Sequence, residues 1–277
     1  MPCAPEAMLT DSHCHLASGR FDHGEIPGLL QRAEDAGVRR LVTLATSLDD
    51  LAENLRLADD PRVHACIGIH PCDVTNAPDD ATEQLAAHTA DPRVCAIGET
   101  GLDYHHPPPD GWAEADYHQR QRWFLHRHFE LAAQAGLNVV IHTRDRSGHA
   151  SFEDALRIYQ EFSSRVRAVF HCFSASWEHA GRVVAAGGLV SFGGTATFRN
   201  AAMVRDTLGS CPAGSFLLET DSPYLAPEPH RGTRNEPCRI ADIAAAIARV
   251  RNETVDSLAR HTESACNAFF RFKSGPQ

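Results

Sequence analysis

The chain has 277 residues, 43% of them hydrophobic, with 26 Lys and Arg against 36 Asp and Glu, a formal charge of −10. A single α/β barrel takes roughly 200–250 residues, so one large domain is the expectation. No apolar run is long enough to cross a bilayer, and Met1 to Met8 lacks both a cationic and an apolar stretch, which argues against a membrane partner or a secretory leader and for a cytoplasmic protein.

Short apolar, β-branched runs alternate with longer segments of helical period, the pattern of βαβ units around a parallel sheet. The first run, Leu9 to His13, follows an N-terminal extension (residues 1–8) and leads into a helix at Ile26 to Ala36. Runs at Arg39 to Ala45 and Val63 to Ile69 flank a helix at Leu48 to Ala58, and a fourth run spans Val94 to Gly98. A long helix, Ala115 to Ala135, precedes the fifth run at Asn138 to Ile141. Helices at Phe152 to Phe162 and Trp177 to Ala186 then separate runs at Arg167 to Phe170 and Gly188 to Phe192. The eighth run is Phe216 to Leu218, with two closing helices, Arg239 to Val250 and Val255 to Phe272, and a short tail, 274–277. Gly37, Gly136 and Gly187 each end a helix where a left-handed cap residue is wanted. Eight strands alternating with helices predict a closed TIM-type (β/α)8 barrel over residues 9–273.

Active sites of such barrels form at the C-terminal ends of the strands. Strand one ends in His13 and His15, strand three in His70, strand four in Glu99, strand five in His142, strand six in His171 and strand eight in Asp221. His13 and His15 are two apart on an extended strand, so both imidazoles face one side. His126 and His128 share that spacing on a helix, where they diverge, and read as structural. One metal takes about four ligands, and five imidazoles with two carboxylates predict two divalent cations sharing a carboxylate, with Glu99 as the bridge. Mixed nitrogen and oxygen donors suit Zn, Mn, Fe or Co, while Mg prefers more oxygen. Nine Cys without a C-x-x-C pair fit reduced thiols, and the single lysine, Lys273, disfavours Schiff-base chemistry.

Seven ordered segments carry a family resemblance: Asp11 to His15 (DSHCH), Gly68 to Pro71 (GIHP), Gly98 to Tyr104 (GETGLDY), Ile141 to Asp145 (IHTRD), His171 to Ser174 (HCFS), Glu219 to Tyr224 (ETDSPY) and Pro229 to Pro237 (PHRGTRNEP). They resemble the motifs of the TatD family of metal-dependent deoxyribonucleases, over nearly the whole chain from Leu9. The resemblance implies that His13, His15 and Asp221 hold one metal, that His142 and His171 hold the other, and that Glu99 bridges. It also implies that His70 lines the substrate site and that Arg144, Arg231 and Arg234 face phosphates. A salt bridge to a nearby carboxylate is the competing role for each Arg, and Asn235 and Glu236 brace a loop or touch ligand. The family is similar to amidohydrolase barrels, whose carboxylated-lysine subtype is excluded by the position of Lys273.

The expected activity is two-metal hydrolysis of phosphodiesters, a 3′ to 5′ exonuclease on single-stranded DNA ends or RNA, by a monomer. Asp221 would orient the attacking water and take its proton. The low count of basic residues favours local capture of a single strand over scanning of duplex. One alternative keeps the metals and cleaves amides or esters, as a deacylase of aminoacylated RNA would; another is a non-catalytic protein with a structural metal site. The loop from Asp103 to Ala115, with His105 and His106, has no role assigned by these motifs.

Overall fold

A computed structural model describes residues 8–272. Eight parallel strands run in the order β1 (Leu9–Cys14), β2 (Val38–Leu44), β3 (Val63–Ile67), β4 (Val94–Tyr104), β5 (Val139–Asp145), β6 (Ala168–Phe170), β7 (Leu189–Phe192) and β8 (Phe216–Leu218). Each pairs with the next through chain-order parallel ladders. The strands are apolar on both faces because both are covered, as parallel sheets require. Inward residues such as Val42, Cys66, Val140 and Leu217 form one buried cluster, which also takes in Phe269 and Phe270 of the last helix, α9 (Val255–Phe270). Outward residues pack against the surrounding helices in a second, larger cluster.

The helices are α1 (Ile26–Asp35), α2 (Leu48–Leu57), α3 (Ala81–Ala86), α4 (Glu114–Ala135), α5 (Ala150–Phe162), α6 (Trp177–Ala185), α7 (Ala202–Ser210), α8 (Ile240–Arg251) and α9. Their buried faces follow the helical period: α1 buries Ile26, Leu29, Leu30 and Ala33. Gly37, Gly136 and Gly187 all take positive φ, 85°, 68° and 82°, as the helix-end reading requires. No helix among the described residues is long and apolar enough to cross a membrane. The expected N-terminal extension and C-terminal tail lie, but for Met8, outside the described residues.

The ring closes between β8 and β1 through polar groups. Cys14 and Ser222 form a parallel bridge, His15 N–H donates to Ser222 O at 2.7 Å, and Asp221 N–H donates to His13 O at 2.9 Å. Below them the buried Asp11 carboxylate accepts from Thr220 N–H at 2.8 Å and from its hydroxyl at 2.6 Å.

Two features depart from the sequence reading. The β4–β5 ladder runs past the ring, pairing Gly101 with His142 and Tyr104 with Asp145, so Glu99 and His142 lie inside strands. The apolar pattern ends near Gly98, and polar residues carry this extension because it lines a cavity. A Cβ on Gly101, at φ 145°, would fall 2.0 Å from His142 O, so only glycine admits that close approach. The short helices α3 and α7 were also missing from the sequence reading, their apolar positions being too few to set a period.

Candidate metal centre

The predicted strand-end side chains converge over the ring, buried or half-buried. Two groups form around Glu99. On one side, Oε2 lies 3.5 Å from His13 Nε2 and 3.4 Å from His15 Nε2, and Asp221 Oδ1 lies 3.8 and 3.5 Å from the same nitrogens. On the other, Oε1 lies 2.9 Å from His171 Nε2 and 3.1 Å from His142 Nδ1. The His13 and His171 rings stack at 3.9 Å, so the groups adjoin.

The spacing of the nitrogens suits a cation. His13 Nε2 and His15 Nε2 are 3.2 Å apart, and His142 Nδ1 and His171 Nε2 are 3.3 Å apart. Two nitrogens about 2.0–2.1 Å from one tetrahedral zinc stand about 3.4 Å from each other. Overlapping groups, His13 with His15 and Asp221, His13 with Glu99 and His171, and His70 with Glu99 and His142, each bring donor atoms close enough to hold a metal ion.

Electrostatics point the same way. Burial alone would raise the Glu99 carboxyl, but His171, His70 and His13 hold it well below the ordinary value. Asp221 is also held down against burial, by His15 and His13. Burial opposes protonation of His15, His142 and His171, yet the carboxylates beside them raise all three. Burial and the neighbouring His171 lower His13. The metal-free chain thus keeps ionised carboxylates neutralised by imidazole protons, which a cation can replace.

His70 Nε2 also approaches Glu99 Oε1, at 3.6 Å, and His70, Glu99 and His142 are close enough to hold an ion. Hydrogen bonding argues against that use. His70 Nδ1 accepts from Cys72 N–H at 3.1 Å, and burial lowers the imidazole to about 3, so the ring is neutral with its proton on Nε2. It faces the cavity as a donor.

Residues to which the sequence assigned no part in the site hold these groups in place. Asp103 Oδ2 lies 3.1 Å from His142 Nε2, directing the other nitrogen of that ring at Glu99. Glu219 accepts from Cys172 N–H at 2.6 Å and Ser191 Oγ at 2.5 Å, 3.7 Å from His171 Nδ1. His128, read as structural, is buried and accepts from Ile69 N–H at 3.0 Å through Nε2, next to His70. Asp103 and Glu219 stand within four residues of Glu99 and two of Asp221 in the motifs, which was the available signal. Asp221 and Cys172 take left-handed φ, 54° and 47°, strain of about 1–3 kcal/mol each that surrounding contacts must offset.

A cavity of about 920 Å³ opens over the centre, walled by Arg144, Tyr224 and Leu225. The arginines divide. Arg144 lines this cavity, and its neighbour Asp145 is bonded instead to Ser151. Arg231 lies over the Phe198 ring at 4.2 Å. Arg234 is engaged bidentately by Glu25 at 2.6 and 2.8 Å, the salt-bridge role that competed with a phosphate contact. Asn235 donates to Thr220 O and Tyr224 O, and Glu236 pairs with Arg32, so both brace the loop.

Residues 10–271 match the family described as TatD related DNase. The chain belongs to the TatD family. It is 36% identical over 259 residues to the metal-dependent hydrolase TatD of Mycobacterium tuberculosis, covering 92% of this chain and 95% of the relative. It is also 36% identical over 260 residues to the metal-dependent hydrolase YcfH of Escherichia coli, covering 92% of each. Among solved structures, the TatD homologue YjjV of Escherichia coli matches with a TM-score of 0.85 at 30% identity, over 96% of this chain and 98% of that one. This TatD-family chain is a metal-dependent hydrolase on a TIM-type barrel.

Proposed function

We propose that this hydrolase is a two-metal phosphodiesterase that trims single-stranded DNA from the 3′ end, with RNA a further substrate. The observation that carries the reading is the division of Glu99, one oxygen toward His13 and His15 and the other toward His142 and His171. His13, His15 and Asp221 would hold one cation and His142 and His171 the other, with Glu99 shared between them. Two such cations, of Zn, Mn, Mg, Fe or Co, supply Lewis-acid polarisation of the phosphoryl group and acidify a water.

The chain's own groups do the rest. Asp221, ionised at the cavity floor, orients the attacking water and accepts its proton. His70 offers its Nε2 proton to a phosphate oxygen, and Arg144 neutralises charge that grows in the transition state. Arg231 sits farther out with Phe198, suited to a more distant phosphate, while Arg234 organises the rim through Glu25. Water protonates the leaving oxygen. Net charge of −10 favours a local grip on one strand over a footprint on duplex. One chain supplies every residue of the centre, so a monomer suffices.

The test is release of mononucleotides from 3′-labelled single-stranded DNA by metal-stripped protein given Mg, Mn or Zn, beside Glu99→Ala. Release that needs metal and is lost in the variant is expected. No release with any metal, from protein that binds two ions, would move the assignment to an amide or ester hydrolase.

A further inference from the structure

The loop after β4 has a chemistry that the principal centre does not use. His106 Nδ1 lies 2.9 Å from Asp103 Oδ2 and 3.8 Å from Cys72 Sγ, and all three donor atoms fall within 4.8 Å of one another. Cys72 comes from the segment after β3 and the other two from the end of β4 and the loop beyond it, so the fold brings them together. Asp103 is fully buried and His106 half-exposed, and both line the cavity.

We propose that Cys72, Asp103 and His106 form a third cation site, selective for a thiolate-accepting divalent ion such as Zn or Co. A sulfur and a nitrogen on one tetrahedral zinc stand about 3.6 Å apart, against 3.8 Å here. The Nδ1 and Oδ2 atoms, 2.9 Å apart across a hydrogen bond, open by about 0.5 Å to reach the spacing of two ligands on the same ion. Binding releases the thiol proton to solvent, because a coordinated thiol ionises. His106 is half-exposed, so a fourth position would be open to water.

An imidazole capping a carboxylate is ordinary by itself. Here the carboxylate is already occupied: Oδ1 accepts the His105 and His106 amides at 2.9 Å each, and Oδ2 also holds His142 Nε2 at 3.1 Å. Asp103 therefore links the two centres. A cation on Oδ2 withdraws charge from the group that polarises His142, so occupancy of the third site shifts affinity at the principal one.

Sulfur distinguishes the sites, since the groups around Glu99 contain none. Metal-stripped protein titrated with Co(II) should develop a thiolate-to-cobalt charge-transfer band in the near ultraviolet and saturate at three ions per chain. Cys72→Ser should lose the band and bind two, while His106→Gln should weaken the band's titration tenfold or more. Visible ligand-field absorption reports the imidazole and carboxylate centre independently, so failure there is separable. No charge-transfer band at saturation, or a band unchanged in Cys72→Ser, would overturn the proposal.

Discussion

His128 offers a quantitative test of how the site is held. It is fully buried on α4, its Nε2 accepts the Ile69 amide beside His70, and its Nδ1 lies 2.7 Å from Phe124 O, which can only accept. Both contacts require the neutral ring with its proton on Nδ1. Burial accordingly lowers the imidazole from 6.5 to about 4. For a histidine with a depressed folded value, the stabilisation is complete above the unfolded value and is lost as pH falls from 6.5 through 4. Proton linkage between about pH 7.5 and about pH 5 then costs the fold about 2 kcal/mol from this residue alone. His128→Gln keeps an acceptor for Ile69 and cannot titrate, so its acid loss should be smaller by that amount. His128→Leu leaves the amide unpaired and should be destabilised by about 1–3 kcal/mol at either pH. Urea unfolding of all three metal-free proteins at both pH values measures this. A Gln variant that loses as much stability in acid as the parent refutes the assignment.

Glu99→Gln should reduce bound metal and abolish turnover while circular dichroism stays that of the folded barrel, because Glu99 lies in the polar ring above the core; loss of the fold would refute this. Metal affinity should rise with pH, since cations displace protons from His15, His142 and His171, whose values are raised; calorimetry in two buffers of different ionisation enthalpy would then show proton release, and its absence counts against the ligand set. Arg144→Ala should raise KM for a phosphodiester roughly tenfold, as expected for one charge-assisted contact, whereas Arg234→Ala, already committed to Glu25, should leave turnover within about threefold. Kinetics with charged and neutral esters separate the two.

The barrel was legible because strand and helix periods alternate eight times with glycines at the right joints, and the convergence of His13, His15, His70, Glu99, His142, His171 and Asp221 was legible because each stands near the C-terminal end of a strand. Less could be read where a polar residue's role depends on a distant partner. Asp103 looks like any motif aspartate until His142 is seen 3.1 Å away, and Asp11 gains its role from Thr220, 209 residues later. Arg234 shows the limit in the other direction: its motif suggested phosphate, but Glu25 is near only in three dimensions. The β4–β5 extension was missed because strand patterns are read from apolar residues, and this stretch faces a cavity.

The polar seam between the first and last strands bears on when the side-chain cluster around Glu99 is assembled. Asp221 lies just beyond the last strand made and takes its place by donating its backbone N–H to His13 O on the first. A nascent chain that has not yet delivered residue 221 has His13 and His15 but lacks one of their two carboxylate neighbours, so the cluster around Glu99 is incomplete. On the two-metal reading, a cation that binds only the joined strands would act as a latch, worth about 2.7 kcal/mol at a hundredfold excess over Kd. Delivery of residue 221, closure of the ring and assembly of the carboxylate and imidazole cluster are therefore coupled in this chain.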